Sequence, residues 1–195
     1  MGRVWDSPSG NLLVSTIVRL GLGDPAPSTL AFVTALAVLD TIKNIAPELA
    51  VQIKWPNDIL SVDGAKLCGV LLERSDNAVV VGIGLNLAWH PKGLDRPVTD
   101  LTTLGALPPH PQAVTEILAE NFAIWLQRWR IGGMQGIATN WQKVAHPIGT
   151  AVSVHLPTGE IADGLFAGLE EDGALRLRLA DGEIRAIHAA DIFLI

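Results

Sequence analysis

The chain has 195 residues, with 14 Lys and Arg against 20 Asp and Glu, so its formal net charge is −6. That balance, with no Lys/Arg-rich block, argues against nucleic acid as the main partner, because a duplex-binding surface needs clustered cations to displace counterions. Hydrophobic residues make up 49% and charged residues 17%, which excludes a disordered chain and predicts a real core.

In chain order, the segment from Met1 to Pro8 has no basic stretch followed by an apolar run, so it does not read as a secretory signal. Asn11 to Arg19 is rich in β-branched and apolar residues after a Ser-Pro-Ser-Gly turn, and predicts a buried strand. Leu30, Val33, Leu36, Ala37 and Ile42 recur at helical spacing, with Ser28 as the expected N-cap and Asn44 and Pro47 as the stop. Val51 to Lys54 reads as a short strand that ends at Trp55-Pro56-Asn57-Asp58. Ile59 to Val62 and Lys66 to Leu72 flank Asp63-Gly64, a hairpin signal, and Asn77 to Leu87 predicts another strand. A Pro/Gly/Thr-rich connection leads to a helix over about Gln112 to Trp129, and after Gly132-Gly133 a last helix runs to about Ala145. His146-Pro147-Ile148-Gly149 marks a boundary. Beyond it, five short strands separated by Gly turns predict a small β-barrel. The reading divides the chain into residues 1–147 and 148–195.

Lys54-Trp55-Pro56-Asn57-Asp58 and Lys66, eight residues beyond Asp58, form the strongest chemical candidate. Two strand-borne cations beside a carboxylate can hold anionic oxygens, and Asp58 is the candidate for Mg²⁺ or a ribose hydroxyl. Equally, both lysines fit ordinary exposed strand positions and Asn57-Asp58 an ordinary turn. Gly82 and Gly84 lie on one face of their strand and would leave a smooth floor for a flat ligand, or else relieve crowding against a helix. Gly-x-Gly here is not a dinucleotide fingerprint, and the sequence contains no Walker-type loop. The five histidines lack metal-ligand spacing. Cys68, the lone cysteine, reads as a small buried hydrophobe and fits a reducing, cytoplasmic setting. Trp125, Trp129 and Trp141 read as packing, whereas Trp5 and Trp55 flank the polar motifs.

Lys54-Trp55-Pro56-Asn57-Asp58, Lys66-Leu67-Cys68-Gly69-Val70-Leu71-Leu72-Glu73 and Gly82-Ile83-Gly84-Leu85-Asn86, in that order, resemble the central signature of the biotin protein ligases. Gly2-Arg3-Val4-Trp5-Asp6-Ser7-Pro8 is similar to the tail of that family's biotin-binding loop. The resemblance implies an α+β fold: a mixed sheet flanked by helices, the biotin/lipoate ligase-like catalytic domain, followed by an SH3-like C-terminal domain. It implies an ATP-dependent activation of biotin as biotinoyl-5′-AMP, with Mg²⁺, and transfer to a lysine of a biotin carrier domain such as that of acetyl-CoA carboxylase. Lys66 then matches the essential lysine that contacts the biotin carboxylate and the α-phosphate. Lys54 and Asp58 fall on the nucleotide side, with Asp58 near the acceptor lysine or metal-bound phosphates. Asn57 orients its neighbours, Gly69, Leu71, Gly82 and Gly84 line the floor under the biotin ring, and Asn86 reaches the adenylate or Mg²⁺. Arg3 and Trp5 belong to the same binding set.

The chain departs from the family pattern at its start. The resemblance implies about 50 further residues, including an Arg-rich loop, upstream of Met1, so the sequence reads as N-terminally truncated and without a helix-turn-helix domain. A non-catalytic remnant that binds nucleotide or carrier domain, and a lipoate ligase-like enzyme, are the alternatives; the Lys-Trp-Pro-Asn-Asp run speaks against the latter. Neither nucleic acid nor membrane is expected as a partner, and the sequence allows a homodimer.

Overall fold

The structure is a computed structural model that describes residues 9–94 and 96–194. Strand β1 spans Leu12–Arg19, helix α1 Leu30–Ile45, β2 Val51–Lys54, β3 Asp58–Ser61, β4 Lys66–Ser75 and β5 Ala78–Leu85. Helix α2 covers Pro111–Gln142, and the C-terminal strands are β6 Ala151–His155, β7 Ile161–Leu169, β8 Leu175–Arg178, β9 Ile184–Ile187 and β10 Asp191–Leu194. The first sheet has the order β1-β5-β4-β3-β2 and the second β10-β6-β7-β8-β9. Pairing between these strands is antiparallel throughout; parallel contact occurs as the isolated bridges Ile53–Ala145 and Lys66–Val98.

Over β1, β5 and β4 one face of the first sheet is covered and the other is open, whereas β3 is buried on both faces. In β5, Val79, Val81, Ile83 and Leu85 are buried, while Val80, Gly82 and Gly84 alternate with them on the less buried side. Helix α1 packs on β2, β3 and β4, and α2 packs on α1 and reaches β1. Twelve of the sixteen α1 residues are buried, more than an amphipathic stripe would hide, which makes this the central helix of the core. Together with the turn before it, α1 is long and apolar enough to cross a membrane by length and composition, but its burial is that of a core helix.

Two local expectations are corrected. Ser28 does not cap α1: a 3₁₀ turn over Pro27–Thr29 precedes the helix, Thr29 stands at the N-cap position, and the Ser28 hydroxyl instead donates to the Asp172 carbonyl (3.3 Å). The two expected C-terminal helices are joined in α2, interrupted where Gly133 takes φ +65°. The buried residues follow suit. Val114, Leu118, Phe122, Trp125 and Trp129 recur every three or four positions, then a step of five leads to Met134, Ile137 and Trp141, and the break absorbs it. Trp125, Trp129 and Trp141 are indeed buried; the first two indoles donate to Asp40 (2.8 Å) and to the Thr29 hydroxyl (2.7 Å).

The C-terminal strands turn at Gly159, Gly173 and Gly182, as the spacing predicts. The β7–β8 turn packs against Phe32 of α1 and against Trp55, just beyond β2. At Gly173 (φ +87°) an added Cβ would lie 2.6 Å from Phe32 Cε2, and the Gly173 carbonyl accepts the Trp55 indole N–H (3.0 Å). Phe32, Trp141 and Phe166 continue this seam as edge-on aromatic pairs. Gly173→Ala, which meets both the backbone and the ring, is expected to lower unfolding free energy by at least about 2 kcal/mol in urea titrations.

His146, buried at the same seam beside Trp55, Trp141 and Phe166, is held below its ordinary pKa by burial and then by the charge of Lys54. The unfolded chain therefore takes the proton first, so stability is complete above about pH 6.5 and declines as pH falls below it. His146→Phe is expected to flatten that decline relative to the parent between pH 8 and 5.5, read from urea midpoints.

Candidate active site

The open face of the first sheet carries the sequence-predicted residues. Directly opposed residues share a face, and the registers Leu13–Gly84, Gly84–Gly69, Gly69–Asp58 and Asp58–Lys54 make one row that crosses all five strands. The next row is Ser15–Gly82–Leu71. Leu13 and Leu71, both more than half exposed, stand on either side of the glycines, so the floor is flat, apolar and bare of Cβ atoms at Gly69, Gly82 and Gly84.

Lys66 reaches this face through a β-bulge. Ile59 pairs with Cys68, yet Leu60 pairs with Lys66, so Leu67 is the extra residue in β4. Without it, alternation from the core-facing Cys68 would send Lys66 into the core. Leu67 and Cys68 are consecutive and both buried, the signature of that irregularity. The Lys66 ammonium donates to Asp58, whose carboxylate is almost fully buried. Residues 97–101 hold the backbone here: Lys66 N–H donates to Pro97, Thr99 N–H to Lys66, and Leu101 N–H to Asn86.

Lys54, on the other side of Asp58, donates to the Ile192 carbonyl of β10 (3.1 Å) and lies over the Phe193 ring, 5.7 Å from its centroid. Burial lowers its pKa; the Asp58 charge opposes this and the Lys66 charge adds to it. Cation, carboxylate and cation thus lie in a row with a net single positive charge at one end of an apolar floor. Such a surface suits an anion that carries a flat apolar group.

The asparagines are occupied in holding segments together. Asn57 Nδ2 donates to the Val70 carbonyl (2.6 Å), and Asn86 Nδ2 to the Thr99 carbonyl (2.9 Å), so each amide nitrogen braces a neighbouring segment. Trp55 is turned into the seam and does not line the floor. Arg3 and Trp5 lie outside the described residues. Burial pushes the Cys68 thiol up to about 12, in keeping with an inert packing role. Among the described residues no group of three or more His, Cys, Asp or Glu side chains converges as a metal site, and the Asp58 carboxylate is engaged by Lys66. A groove of about 630 Å³ between α2 and the β7 end shares no residue with the charged row.

Sequence reasoning passed over two rim features. Asn11 Oδ1 accepts the backbone N–H groups of Leu87, Ala88 and Trp89 (3.0, 3.1 and 3.2 Å), and its amide donates to the Trp89 carbonyl (2.8 Å). Asp100 binds His90 (2.5 Å) and both the N–H and hydroxyl of Thr103. Asn11 reads as the first residue of the strand that follows Ser-Pro-Ser-Gly, and His90 and Asp100 have no diagnostic spacing.

A one-sided sheet with a charged row at the edge of a glycine floor, followed by a small β-domain, is the architecture of a biotin/lipoate ligase-like protein. Residues 1–88 match the Biotin/lipoate A/B protein ligase family, and residues 148–195 match the Biotin protein ligase C terminal domain. A biotin--[acetyl-CoA-carboxylase] ligase of Paracoccus denitrificans is 35% identical over 98% of this chain and 83% of its own length; one from Mycobacterium tuberculosis is 30% identical over 98% and 72%. The fold matches a biotin protein ligase from Aquifex aeolicus, solved in complex with biotin and ATP, with a TM-score of 0.85 at 22% identity over 100% of this chain and 83% of that one. The chain belongs to the biotin protein ligase family.

Gly69 tests the packing of the site. An added Cβ would lie 3.0 Å from both Cε and Nζ of Lys66, atoms at the free end of a flexible side chain. Gly69→Ala is therefore expected to fold with a stability change under about 1 kcal/mol while displacing the ammonium from Asp58. Mass-spectrometric labelling of Lys66 with an amine-reactive probe is expected to accelerate several-fold; an unchanged rate contradicts the placement.

Proposed function

We propose that this protein is a biotin–[acetyl-CoA-carboxylase] ligase that joins biotin to ATP as biotinoyl-5′-AMP and passes the acyl group to a lysine of a biotin carrier domain. The observation that carries this reading is the Lys66–Asp58 pair set at the edge of the Gly69, Gly82 and Gly84 floor, in a chain 35% identical over 98% of its length to a ligase of that name.

In the first step a biotin carboxylate oxygen attacks the α-phosphorus of ATP and pyrophosphate leaves. Both reactants are anionic, so bringing them together is the principal difficulty. Lys66, fixed by Asp58, offsets their repulsion and the negative charge that grows on the phosphorus oxygens. Lys54 stands on the nucleotide side of the same row. The bicyclic ring of biotin lies on the glycine floor between Leu13 and Leu71, where removal from water favours its thioether ring and the alkyl chain. Arg3 and Trp5 complete the binding set. Asn57 and Asn86 act by bracing the rim.

In the second step the acceptor amine attacks the acyl carbon and AMP departs. Asp58, the only carboxylate in the row, is the group placed to attract the ammonium of the incoming lysine and hold its proton as the amine is released. Magnesium would be held through the phosphates of the nucleotide and would offset their charge; among the described residues the His, Cys, Asp and Glu side chains do not by themselves make a cation cage. A lone buried thiol and ATP as substrate favour a cytoplasmic setting.

With ATP, Mg²⁺, biotin and an apo carrier domain, the protein is expected to release pyrophosphate and biotinylate the carrier. Lys66→Ala is expected to slow pyrophosphate release roughly 100- to 1000-fold, the scale of losing a preorganised charge at a transition state. Undiminished turnover in that variant, or none in the parent, overturns the assignment.

A further inference from the structure

Three consecutive residues of the signature strand are tied to segments more than 85 positions away. The Ile53 N–H donates to the Val144 carbonyl (2.9 Å), the Lys54 ammonium to the Ile192 carbonyl (3.1 Å) and the Trp55 indole to the Gly173 carbonyl (3.0 Å). Two of these acceptors belong to the C-terminal domain. The middle tie differs from the others, because it ends on a side chain that faces Asp58 across the sheet. Lys54 has a long, flexible stem whose ammonium would otherwise sample many rotamers. Instead it sits between the Ile192 carbonyl and the Phe193 ring. Phe193 lies on an edge strand and is 46% exposed, an unusual place for an aromatic without a core role, and its ring also meets the His155 ring, tilted by 47° at 4.5 Å between centroids.

We infer that Phe193 is a positioning residue of the active site, and that with the Ile192 carbonyl it holds the Lys54 ammonium in the charged row. This rests on the functional reading given above for Lys54. Charge surrounds the ammonium on several sides: Asp58 and Lys66 on the sheet, Asp191 on β10 and Arg96 on the connecting loop. An untethered ammonium would be drawn toward Asp58 and would compete with Lys66 for it. The ring and the carbonyl on β10 keep the two cations apart.

The test is a double-mutant cycle on the full chain. Phe193→Ala is expected to raise the KM for ATP in pyrophosphate release roughly fivefold, the scale of a partly exposed cation–π contact, with kcat little changed. Phe193→Trp, which keeps a π-face beneath the ammonium, is expected to restore it. On a Lys54→Met background, Phe193→Ala is expected to have no further effect. Additive losses in the cycle, or failure of Trp to rescue, overturn the proposal. A second arm does not depend on catalysis: labelling of Lys54 by an amine-reactive probe should accelerate several-fold in Phe193→Ala and not in Phe193→Trp, and equal rates in all three proteins also overturn it. If the parent forms no adenylate but the labelling difference is present, the functional reading fails while the tether stands.

Discussion

Over β1, β4 and β5 the first sheet is buried on one side only, and the site follows from that asymmetry. The core that surrounds helix α1 requires an unbroken apolar surface, and β1, β4 and β5 contribute to it through Leu12, Val18, Val70, Val79, Val81, Ile83 and Leu85. Because side chains alternate along a strand, every residue committed to that surface leaves its neighbours on the other side. Those neighbours are free of packing duty, so three of them can be glycine, and glycines that would weaken a two-sided sheet here leave a floor against which a ligand can lie. The same alternation makes register decisive. A shift of one residue would hide the charged row, and the bulge at Leu67 is the local exception that brings Lys66 to the correct face.

The charged row is costly to assemble and useful for that reason. A nearly buried Asp58 would be strongly unfavourable alone, and its pairing with Lys66 recovers part of the desolvation cost without making the pair a net source of stability. What the pair gives is orientation. An ammonium held by a fixed carboxylate at the edge of a low-dielectric surface acts more strongly on an incoming anion than a solvated lysine, and it does not have to reorganise when charge develops. Cys68, one strand position from Gly69 but on the opposite face, is governed chiefly by burial, which keeps its thiol protonated despite the opposing charge of Lys66.

The strands, the α1 segment and the chemical motif were legible because period and turn residues act locally. Asp63-Gly64, Gly159, Gly173 and Gly182 turn where they stand regardless of the rest of the chain. The cap at Ser28 was misread since Pro27 starts a 3₁₀ turn whose end, not its beginning, feeds the helix. The bulge could not be seen at all. It is a mismatch between two strands, and neither β3 nor β4 carries it alone. Lys54 belongs to the same class: its position in the signature was plain, but its partner lies 138 residues away on a strand with no chemical signature. Asn11 reads as an ordinary first strand residue until the 87–89 backbone that it organises is brought beside it.

The seam between the two domains joins folding and chemistry in one equilibrium. Ile53, Lys54 and Trp55 are bonded on successive residues, one to the end of α2 and two to the C-terminal domain, and the Gly173 turn fills the space against Phe32 so closely that no side chain fits. The C-terminal domain cannot slide along this surface without breaking these polar ties, that of Ser28 to Asp172 among them, and opening an aromatic contact, so small displacements are resisted and larger ones break the ties together. Asp58 lies four residues beyond Lys54, after a turn braced by Asn57 to Val70. A displacement of the seam therefore reaches the charged row through a short, stiff path, and a small domain without reactive residues of its own sets the geometry at which the reactive ones meet.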